Sequence, residues 1–140
     1  MSKFNFVGLV VHHTAGPQNQ TLDAIRKDQM KRGYGDIAYH FVMQRDSNGK
    51  WHLKRGRPDT MQGCHGVTSY NRTYLGFVVP GNYSKTKMDE ELYQAVLGAV
   101  KHIMQLYGLK KLVGHREIKA TECPGNLFPL NRLKMDCEIL

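Results

Sequence analysis

The sequence predicts an α/β fold, a single domain over residues 1–140 in which a mixed central sheet of about five strands is flanked by helices. The chain of 140 residues has the length that builds one hydrophobic core. Apolar runs of strand length alternate with helix-type patterns, and Asn48-Gly49 between two of the runs is typical of an antiparallel hairpin. Helical crossovers elsewhere permit parallel pairing, so we expect a mixed sheet.

Five segments have the composition of strands. The first is nearly continuously apolar and β-branched, which favours a strand covered on both faces. Asn48-Gly49 favours a tight turn because both residues tolerate positive φ. The predicted strands are residues 6–11, 37–44, 50–55, 73–79 and 111–114. Residues 56–72 show no clear periodicity and are expected to form a long functional loop.

Three helices are predicted from caps and apolar spacing. Thr21 is expected to cap a helix over residues 22–32. A long helix follows Asp89, because apolar residues recur at three- and four-residue intervals up to Tyr107 and Gly108 then supplies a stop. A short final helix is expected to open at Pro129.

The composition indicates a folded protein with a basic surface. Hydrophobic residues make up 41% and charged residues 23%, which is ordinary globular usage and excludes a disordered chain. No segment approaches the ~20 apolar residues of a membrane span, and the N-terminus has no secretory signal pattern, so neither membrane insertion nor a signal peptide is expected. The net charge of +8 is scattered along the chain, and we expect a monomer with no nucleic-acid partner.

Histidine residues follow the first and last predicted strands, where ligands of such sheets bind. These residues are His12 and His115. Three cysteines in a chain without a secretory signal argue against a disulfide framework and leave thiols for metal binding or catalysis. Seven residues separate His115 from Cys123, so the two could share a metal only if that segment folds back. By itself the pair is weak evidence for a metal, and a core thiol with a surface histidine is the favoured interpretation.

Three motifs occur in sequence order: Val11-His12-His13-Thr14-Ala15-Gly16, Ile37-Ala38-Tyr39-His40-Phe41, and Gly114-His115-Arg116-Glu117 continuing to Ala120-Thr121-Glu122-Cys123-Pro124-Gly125. Together they resemble the zinc-dependent N-acetylmuramoyl-L-alanine amidases of amidase type 2. That family includes bacteriophage endolysins of similar length, which the chain resembles most, and the animal peptidoglycan recognition proteins. The likeness extends over nearly the whole chain.

The resemblance implies one Zn²⁺ per chain, held by His12, His115 and Cys123. In the family the ligands are the first histidine of the paired motif, the histidine after the last strand and the cysteine before Pro-Gly. Imidazole nitrogen and thiolate sulfur are preferred zinc donors, and three protein ligands leave the open position that hydrolysis requires. His13 then lies outside the ligand set as a supporting or packing histidine.

The resemblance also implies catalytic roles for Tyr39 and Thr121. A free phenol has a pKa of ~10, so Tyr39 is expected to orient water or to stabilise the developing oxyanion and not to act as a base. Thr121 could add a hydroxyl donor. The alternative for Tyr39 is an ordinary buried aromatic residue of a strand, and the alternative for Thr121 is a residue that only stabilises its loop. Some relatives carry a glutamate base on the fourth strand, which has no carboxylate here. Glu117 and Glu122 are expected to be solvated loop residues.

The segment from Gly63 to Arg72 resembles the substrate side of the family, which implies that His65 and Asn71 contact the glycopeptide. A role in loop structure is an equal alternative for both residues, since such residues also stabilise turns. Cys64 is expected to be a small buried residue that takes no part in the site.

The implied function is hydrolysis, by zinc-activated water, of the amide between the lactyl group of N-acetylmuramic acid and the L-alanine of the stem peptide in bacterial peptidoglycan. A phage endolysin that waits in the host cytoplasm and then lyses the host from the cell-wall side fits a small basic chain; a recycling enzyme is the alternative setting. A non-catalytic peptidoglycan-binding module and a Cys-His peptidase of the stem peptide are the rival functions.

Overall fold

The computed structural model describes residues 5–63 and 68–138, and that part of the chain contains five strands and four α-helices. The strands are β1 (Gly8–His13), β2 (Phe41–Arg45), β3 (Trp51–Arg55), β4 (Tyr74–Val79) and β5 (Lys111–Gly114). The helices are α1 (Leu22–Lys31), α2 (Thr68–Thr73), α3 (Glu90–Tyr107) and α4 (Leu130–Asp136). A single 3₁₀ turn, η1 (His115–Glu117), directly follows β5.

The five strands form one mixed sheet in the order β3-β2-β4-β1-β5. β1 is parallel to both β4 and β5, and β4 is also parallel to β2. The hairpin strands β2 and β3 form the antiparallel pair. The predicted α/β fold with a mixed five-stranded sheet is therefore confirmed, and the carboxyl ends of β1, β4 and β5 meet at one edge, where ligands of parallel sheets bind.

The two faces of the sheet carry cores of different size. The larger core joins the sheet to α3 and α4 through side chains that include Leu9, Val11, Phe77, Val100 and Leu133. On the other face a small cluster joins the sheet to α1 and contains Ile25, Ile37, Val42 and Val78. Since His12 lies opposite Val78 in the parallel register, its side chain emerges on the face of the small cluster.

The caps that the sequence predicts are present in the two longer helices. The Thr21 hydroxyl accepts the Ala24 N–H at the start of α1, and an Asp89 carboxylate oxygen accepts the Leu92 N–H at the start of α3. α3 ends at Gly108, whose φ of 64° is left-handed. Within the described part of the chain, no helix is both long and apolar enough to cross a bilayer.

The hairpin turn differs in detail from the expected one. Gly49 has a φ of 81°, whereas Asn48 is not among the residues with positive φ. The turn is wider, with main-chain hydrogen bonds from Asp46 N–H to Lys50 O and from Gly49 N–H to Asp46 O. The Asp46 carboxylate stabilises it by accepting the N–H groups of Asn48 and Lys50. The Asp46 side chain therefore stabilises this turn, whereas a two-residue turn would depend on two consecutive residues with positive φ.

Three predicted segments have different bounds in the structure. β1 runs from Gly8 to His13 instead of over residues 6–11, so His12 and His13 end the strand instead of following it. β2 begins at Phe41 instead of residue 37, because side chains take the main-chain donors that a strand would use: Asp36 Oδ1 accepts the Ile37 N–H and Gln29 Oε1 accepts the Ala38 N–H. The predicted loop 56–72 ends in the helix α2. Six residues are too few for helical periodicity to show in a sequence.

A buried histidine joins β2 to β4. His40 is 1% exposed, its Nδ1 accepts the Gly76 N–H at 3.1 Å, and its Nε2 lies 3.0 Å from the Met61 carbonyl oxygen. Since Nδ1 is an acceptor, the ring proton is on Nε2 and is donated to Met61. Burial lowers the pKa of His40 to about 4.

Acidification from pH 7 to pH 5 should lower the free energy of unfolding. The unfolded chain takes up a proton at His40 near the ordinary histidine pKa of 6.5, whereas the folded chain does so only near 4. The contribution of neutral His40 to the free energy of unfolding is therefore fully present above pH 6.5. It is lost as the pH falls from 6.5 towards 4, and the loss is about 2 kcal/mol at pH 5. Urea denaturation at the two pH values measures the loss.

His40→Asn is the control, because its amide oxygen can still accept the Gly76 N–H but does not titrate. This variant should lose about 2 kcal/mol less than the wild type over the same pH interval. An equal pH dependence for both proteins would contradict the assigned pKa of His40.

Candidate metal centre

Parallel pairing of β1 with β5 brings two histidines together. Val11 lies opposite Gly114 in the register, so the next residues, His12 and His115, stand side by side. Their ring centroids are 4.5 Å apart and their planes are inclined by 58°. The His12 ring is buried, with 1% exposure, and His115 is half-buried in η1.

Cys123 completes a cluster of three potential ligands. The segment after η1 folds back, and the Arg116 N–H donates to the Cys123 carbonyl at 2.7 Å. The Cys123 sulfur lies 3.7 Å from His12 Nδ1. One ligand atom from each of His12, His115 and Cys123 lies within 4.8 Å of the other two. The fold-back that the spacing required is therefore present.

The donor set fits Zn²⁺. Tetrahedral zinc with its usual bond lengths separates a sulfur and a nitrogen ligand by roughly 3.6 Å, close to the observed 3.7 Å between Cys123 Sγ and His12 Nδ1. His115 Nε2 is buried and has no hydrogen-bond partner among the described residues. A buried nitrogen in that state requires an explanation, and a cation is one that the neighbouring ligands support.

Burial controls protonation in the cluster. It lowers the pKa of His115, an effect to which the charge of Lys119 adds, so this imidazole is neutral at neutral pH. Burial raises the pKa of the Cys123 thiol to about 11, although a hydrogen bond from the His13 N–H acts in the opposite direction. A metal must therefore displace the thiol proton when it binds.

Tyr39 lies beside the cluster. Its ring centroid is 4.9 Å from that of His12, and the planes are inclined by 55°. Burial raises the pKa of the phenol well above its usual value, and the negative charge of a Cys123 thiolate raises it further. The phenol therefore keeps its proton at neutral pH and can donate a hydrogen bond.

A small polar cavity of about 60 Å³ opens next to Tyr39 and is lined by Thr14, Gln20, Ile25, Asp28, Gln29, Arg32 and Tyr39. Gln29 from α1 is 7% exposed, and its Oε1 accepts the Ala38 N–H at 2.8 Å. No role for Gln29 is predicted from the sequence. A signal is nevertheless present there, because Gln29 continues the apolar stripe of Leu22 and Ile25 at helical spacing.

Thr121 is exposed, and its hydroxyl oxygen accepts the Cys123 N–H at 3.3 Å. This bond stabilises the turn that carries the cysteine, as Thr hydroxyls commonly do in short turns. Because the oxygen acts as the acceptor here, the hydroxyl proton is available for donation. Its predicted catalytic role stays a prediction.

Glu117 is more than the solvated loop residue that was expected. One of its oxygens accepts the Gly114 N–H at 2.8 Å, and its carboxylate pairs with Lys134 of α4 at 2.8 and 2.9 Å. These contacts fix the turn on which His115 is carried. Glu122 is exposed, as expected.

β4 contributes no carboxylate to the site. Val78 lies opposite His12, and the alternation of side chains places Gly76 on the same face. Neither residue can act as a base. The sequence-based expectation that this strand lacks a general base therefore holds on the face where the cluster lies.

Of the two residues assigned to substrate binding, the structure describes Asn71. His65 and Cys64 lie outside the described residues. Asn71 lies in α2, which precedes the amino end of β4, and its carbonyl accepts the Gly63 N–H. His12, in contrast, is near the carboxyl end of the parallel strand β1. Substrate contacts by His65 and Asn71 stay predictions.

Comparison with known protein families identifies the family of this chain. The model of the family described as N-acetylmuramoyl-L-alanine amidase matches residues 4–126. The chain belongs to this amidase family. The resemblance inferred from the three motifs is therefore confirmed, and the matched region contains His12, His115 and Cys123.

Proteins similar to this amidase-family chain include peptidoglycan-recognition proteins and proteins named as amidases or endolysins. Peptidoglycan-recognition protein SC2 of Drosophila melanogaster is 30% identical over 129 residues, which is 83% of this chain and 66% of that protein. The chain thus spans slightly less than two thirds of the length of this relative.

Two solved structures share the fold over almost the entire chain. N-acetylmuramoyl-L-alanine amidase LysC from Clostridium intestinale URNW superposes with a TM-score of 0.86 and 28% identity, covering 98% of this chain and 88% of that one. The Ph2119 endolysin from the Thermus scotoductus MAT2119 bacteriophage superposes with a TM-score of 0.77 and 25% identity, covering 98% and 86%.

Replacement of Cys123 by Ser should abolish stoichiometric zinc binding, because a buried hydroxyl does not replace the thiolate as a zinc ligand. Elemental analysis of protein purified in zinc-containing buffer should give about one Zn²⁺ per wild-type chain and far less for the variant. Cys137→Ser is the matched control, since Cys137 is a half-buried free thiol in the turn after α4. Equal zinc content in both variants would refute the assignment of Cys123.

Proposed function

We propose that this amidase-family chain hydrolyses the amide between the lactyl group of N-acetylmuramic acid and the L-alanine of the peptidoglycan stem peptide. The observation that carries the proposal is the cluster of His12, His115 and Cys123, three zinc-type donors at the carboxyl edge of the sheet in a member of this family. The neighbouring Tyr39 adds a proton donor to the same face.

In the proposed site His12, His115 and Cys123 hold one Zn²⁺. When bound, zinc with two imidazole ligands and one thiolate supplies Lewis acidity at an open coordination position. The protein contributes the fixed positions of the ligands. β1 and η1 position the two imidazoles. The hydrogen bond from Arg116 N–H to Cys123 O closes the segment after η1 and so positions the sulfur.

Tyr39 is the proposed donor to the charge that develops on the lactyl carbonyl oxygen. Because burial raises its pKa, the Tyr39 phenol is protonated at neutral pH. It therefore cannot accept a proton as a base, and it keeps a proton that it can donate. A hydrogen-bond donor that is fixed before the reaction stabilises an oxyanion at little reorganisation cost. Thr121 is the proposed second donor, because its oxygen already accepts the Cys123 N–H and its proton is free to point elsewhere.

A cysteine peptidase is a less suitable function for this geometry. A nucleophilic cysteine requires a thiolate, and such residues have a lowered pKa. Burial instead raises the pKa of Cys123 to about 11. The imidazole 3.7 Å from its sulfur is that of His12, which also stands beside the third potential ligand, His115. The arrangement favours metal binding over nucleophilic attack.

The proposed setting is the lysis of a bacterial host by a phage endolysin. It is supported by the fold shared with the Ph2119 endolysin and by the net charge of +8, which suits an anionic cell envelope. In this setting the protein acts as a monomer, waits in the host cytoplasm and reaches the wall on release. His65 and Asn71 are the proposed contacts to the glycopeptide.

Metal removal should abolish the cleavage. Purified sacculi digested with the wild-type protein should release peptides with a free L-alanine amino terminus and no new reducing sugar ends, as identified by mass spectrometry. A chelator should stop the release, and added Zn²⁺ should restore it, because the proposed hydrolysis requires the metal. Full activity in a demonstrably metal-free sample, or binding without any release, would reject the proposal.

Tyr39→Phe should leave zinc bound and reduce turnover about 100-fold or more, the usual effect of removing one oxyanion donor. Zinc content and the rate of L-alanine exposure are measured on the same sample. Tyr107→Phe is the control, because Tyr107 is also hydrogen-bonded but packs with the core on the opposite sheet face. A fully active Tyr39→Phe variant would leave the metal site standing but would refute the role of the phenol.

A further inference from the structure

His13 is a buried histidine beside the cluster whose ring is used elsewhere. It is 8% exposed, and alternation along β1 directs its side chain to the face opposite His12. Its Nδ1 accepts the N–H of Tyr83 at 3.1 Å. Its own main-chain N–H donates to the Cys123 sulfur at 3.3 Å. One residue thus contacts both the proposed zinc ligand and the loop that follows β4.

That loop, residues 80–84, is rigidly held and is here named the Tyr83 loop. The Tyr83 side chain is fully buried, and its hydroxyl donates to the Pro80 carbonyl at 2.7 Å. The Thr14 hydroxyl oxygen accepts the Gly81 N–H at 3.1 Å. The end of β1 therefore anchors the loop through two consecutive side chains, His13 and Thr14.

The Tyr83 loop in turn supports the segment that carries Cys123. The Tyr83 carbonyl accepts the Leu127 N–H at 2.7 Å. Gly125 packs so closely against the loop that a Cβ atom there would lie 2.3 Å from the Tyr83 carbonyl carbon. Gly125 also has a φ of 104°, a conformation that favours glycine. The turn through Cys123 and Gly125 therefore rests on the Tyr83 main chain.

We propose that His13 is a positioning residue for Cys123, acting through the Tyr83 loop. The ring of His13 holds the loop, the loop supports the turn at Gly125, and the main-chain N–H of His13 holds the sulfur directly. The cysteine is thereby fixed from two sides, while His12 and His115 depend on the sheet register. The inference rests on the proposed zinc site, because positioning matters when the sulfur must meet a metal that two other ligands share.

The expected consequence is specific to Cys123. Without an acceptor at position 13, the buried Tyr83 N–H must find another partner, since an unsatisfied buried donor is costly. The Tyr83 loop then shifts, and the turn through Cys123 and Gly125 loses the main chain that supports it. Residues that orient metal ligands typically contribute 10- to 100-fold to metal affinity.

The test compares His13→Leu with His40→Leu and His13→Asn. His40→Leu removes the same kind of bond, since His40 Nδ1 accepts the Gly76 N–H at 3.1 Å in the β2–β4 pair. His13→Asn keeps an acceptor for the Tyr83 N–H. Zinc dissociation constants are measured by competition with a chromophoric chelator. Alkylation of Cys123 by iodoacetamide in metal-free protein is followed by peptide mass spectrometry.

The expected result is zinc affinity about 10- to 100-fold weaker in His13→Leu, and near wild type in His13→Asn and His40→Leu. Cys123 alkylation should be several-fold faster in His13→Leu alone. Equal effects of the two leucine variants would overturn the proposal, because they would reflect a general loss of stability. If the wild type binds no zinc, the proposed function fails, and the alkylation rates still decide the role of His13.

Gly125→Ala tests the other side of the contact, should His13→Leu not fold. The added methyl must push the turn away from the Tyr83 main chain, so Cys123 alkylation should accelerate in the same way. Gly108→Ala is its control, since Gly108 also has positive φ, 64°, but a Cβ there meets nothing within 4 Å. Unchanged Cys123 reactivity in folded Gly125→Ala would overturn the proposed support by the Tyr83 loop.

Discussion

The parallel register between β1 and β5 is the constraint on which the candidate site depends. Val11 lies opposite Gly114, and this pairing makes His12 and His115 neighbours. Side chains alternate along a strand, so a slip of one residue would turn His12 toward the α3 core. Both faces of β1 are buried, with all six residues inside, and this burial penalises such a slip.

Beyond the register, buried polar side chains hold the loops that deliver the remaining groups. Arg57 is 6% exposed and donates from Nε to the Ile37 carbonyl at 2.9 Å, while its main-chain N–H donates to the Tyr39 carbonyl at 2.8 Å. Gln29 accepts the Ala38 N–H on the same segment. Tyr39 thus lies on irregular backbone that is held by hydrogen bonds to neighbouring segments.

Hydrogen bonds and an ion pair also hold the segments on the other side of the cluster. Glu117 and Lys134 tie the turn after His115 to α4, and the His13 ring ties the loop after β4 to β1. The larger core is formed by apolar packing, whereas the site is surrounded by hydrogen bonds between side chains and main chain. Such bonds are directional, so they define the positions of the three potential ligands more narrowly than apolar burial would.

The sequence by itself determined the fold class, the strands, the capped helices and, through three ordered motifs, the amidase family and its candidate zinc ligands. The strands and helices are local or periodic features that can be read in a linear chain, whereas the family and its candidate ligands are implied by the resemblance of the motifs. The tertiary structure decided that β2 starts at Phe41, that α2 exists, and which contacts Gln29, Glu117 and His13 make around the site. Each of these depends on a hydrogen bond between residues whose proximity only the folded chain creates, or on a segment too short to show a period.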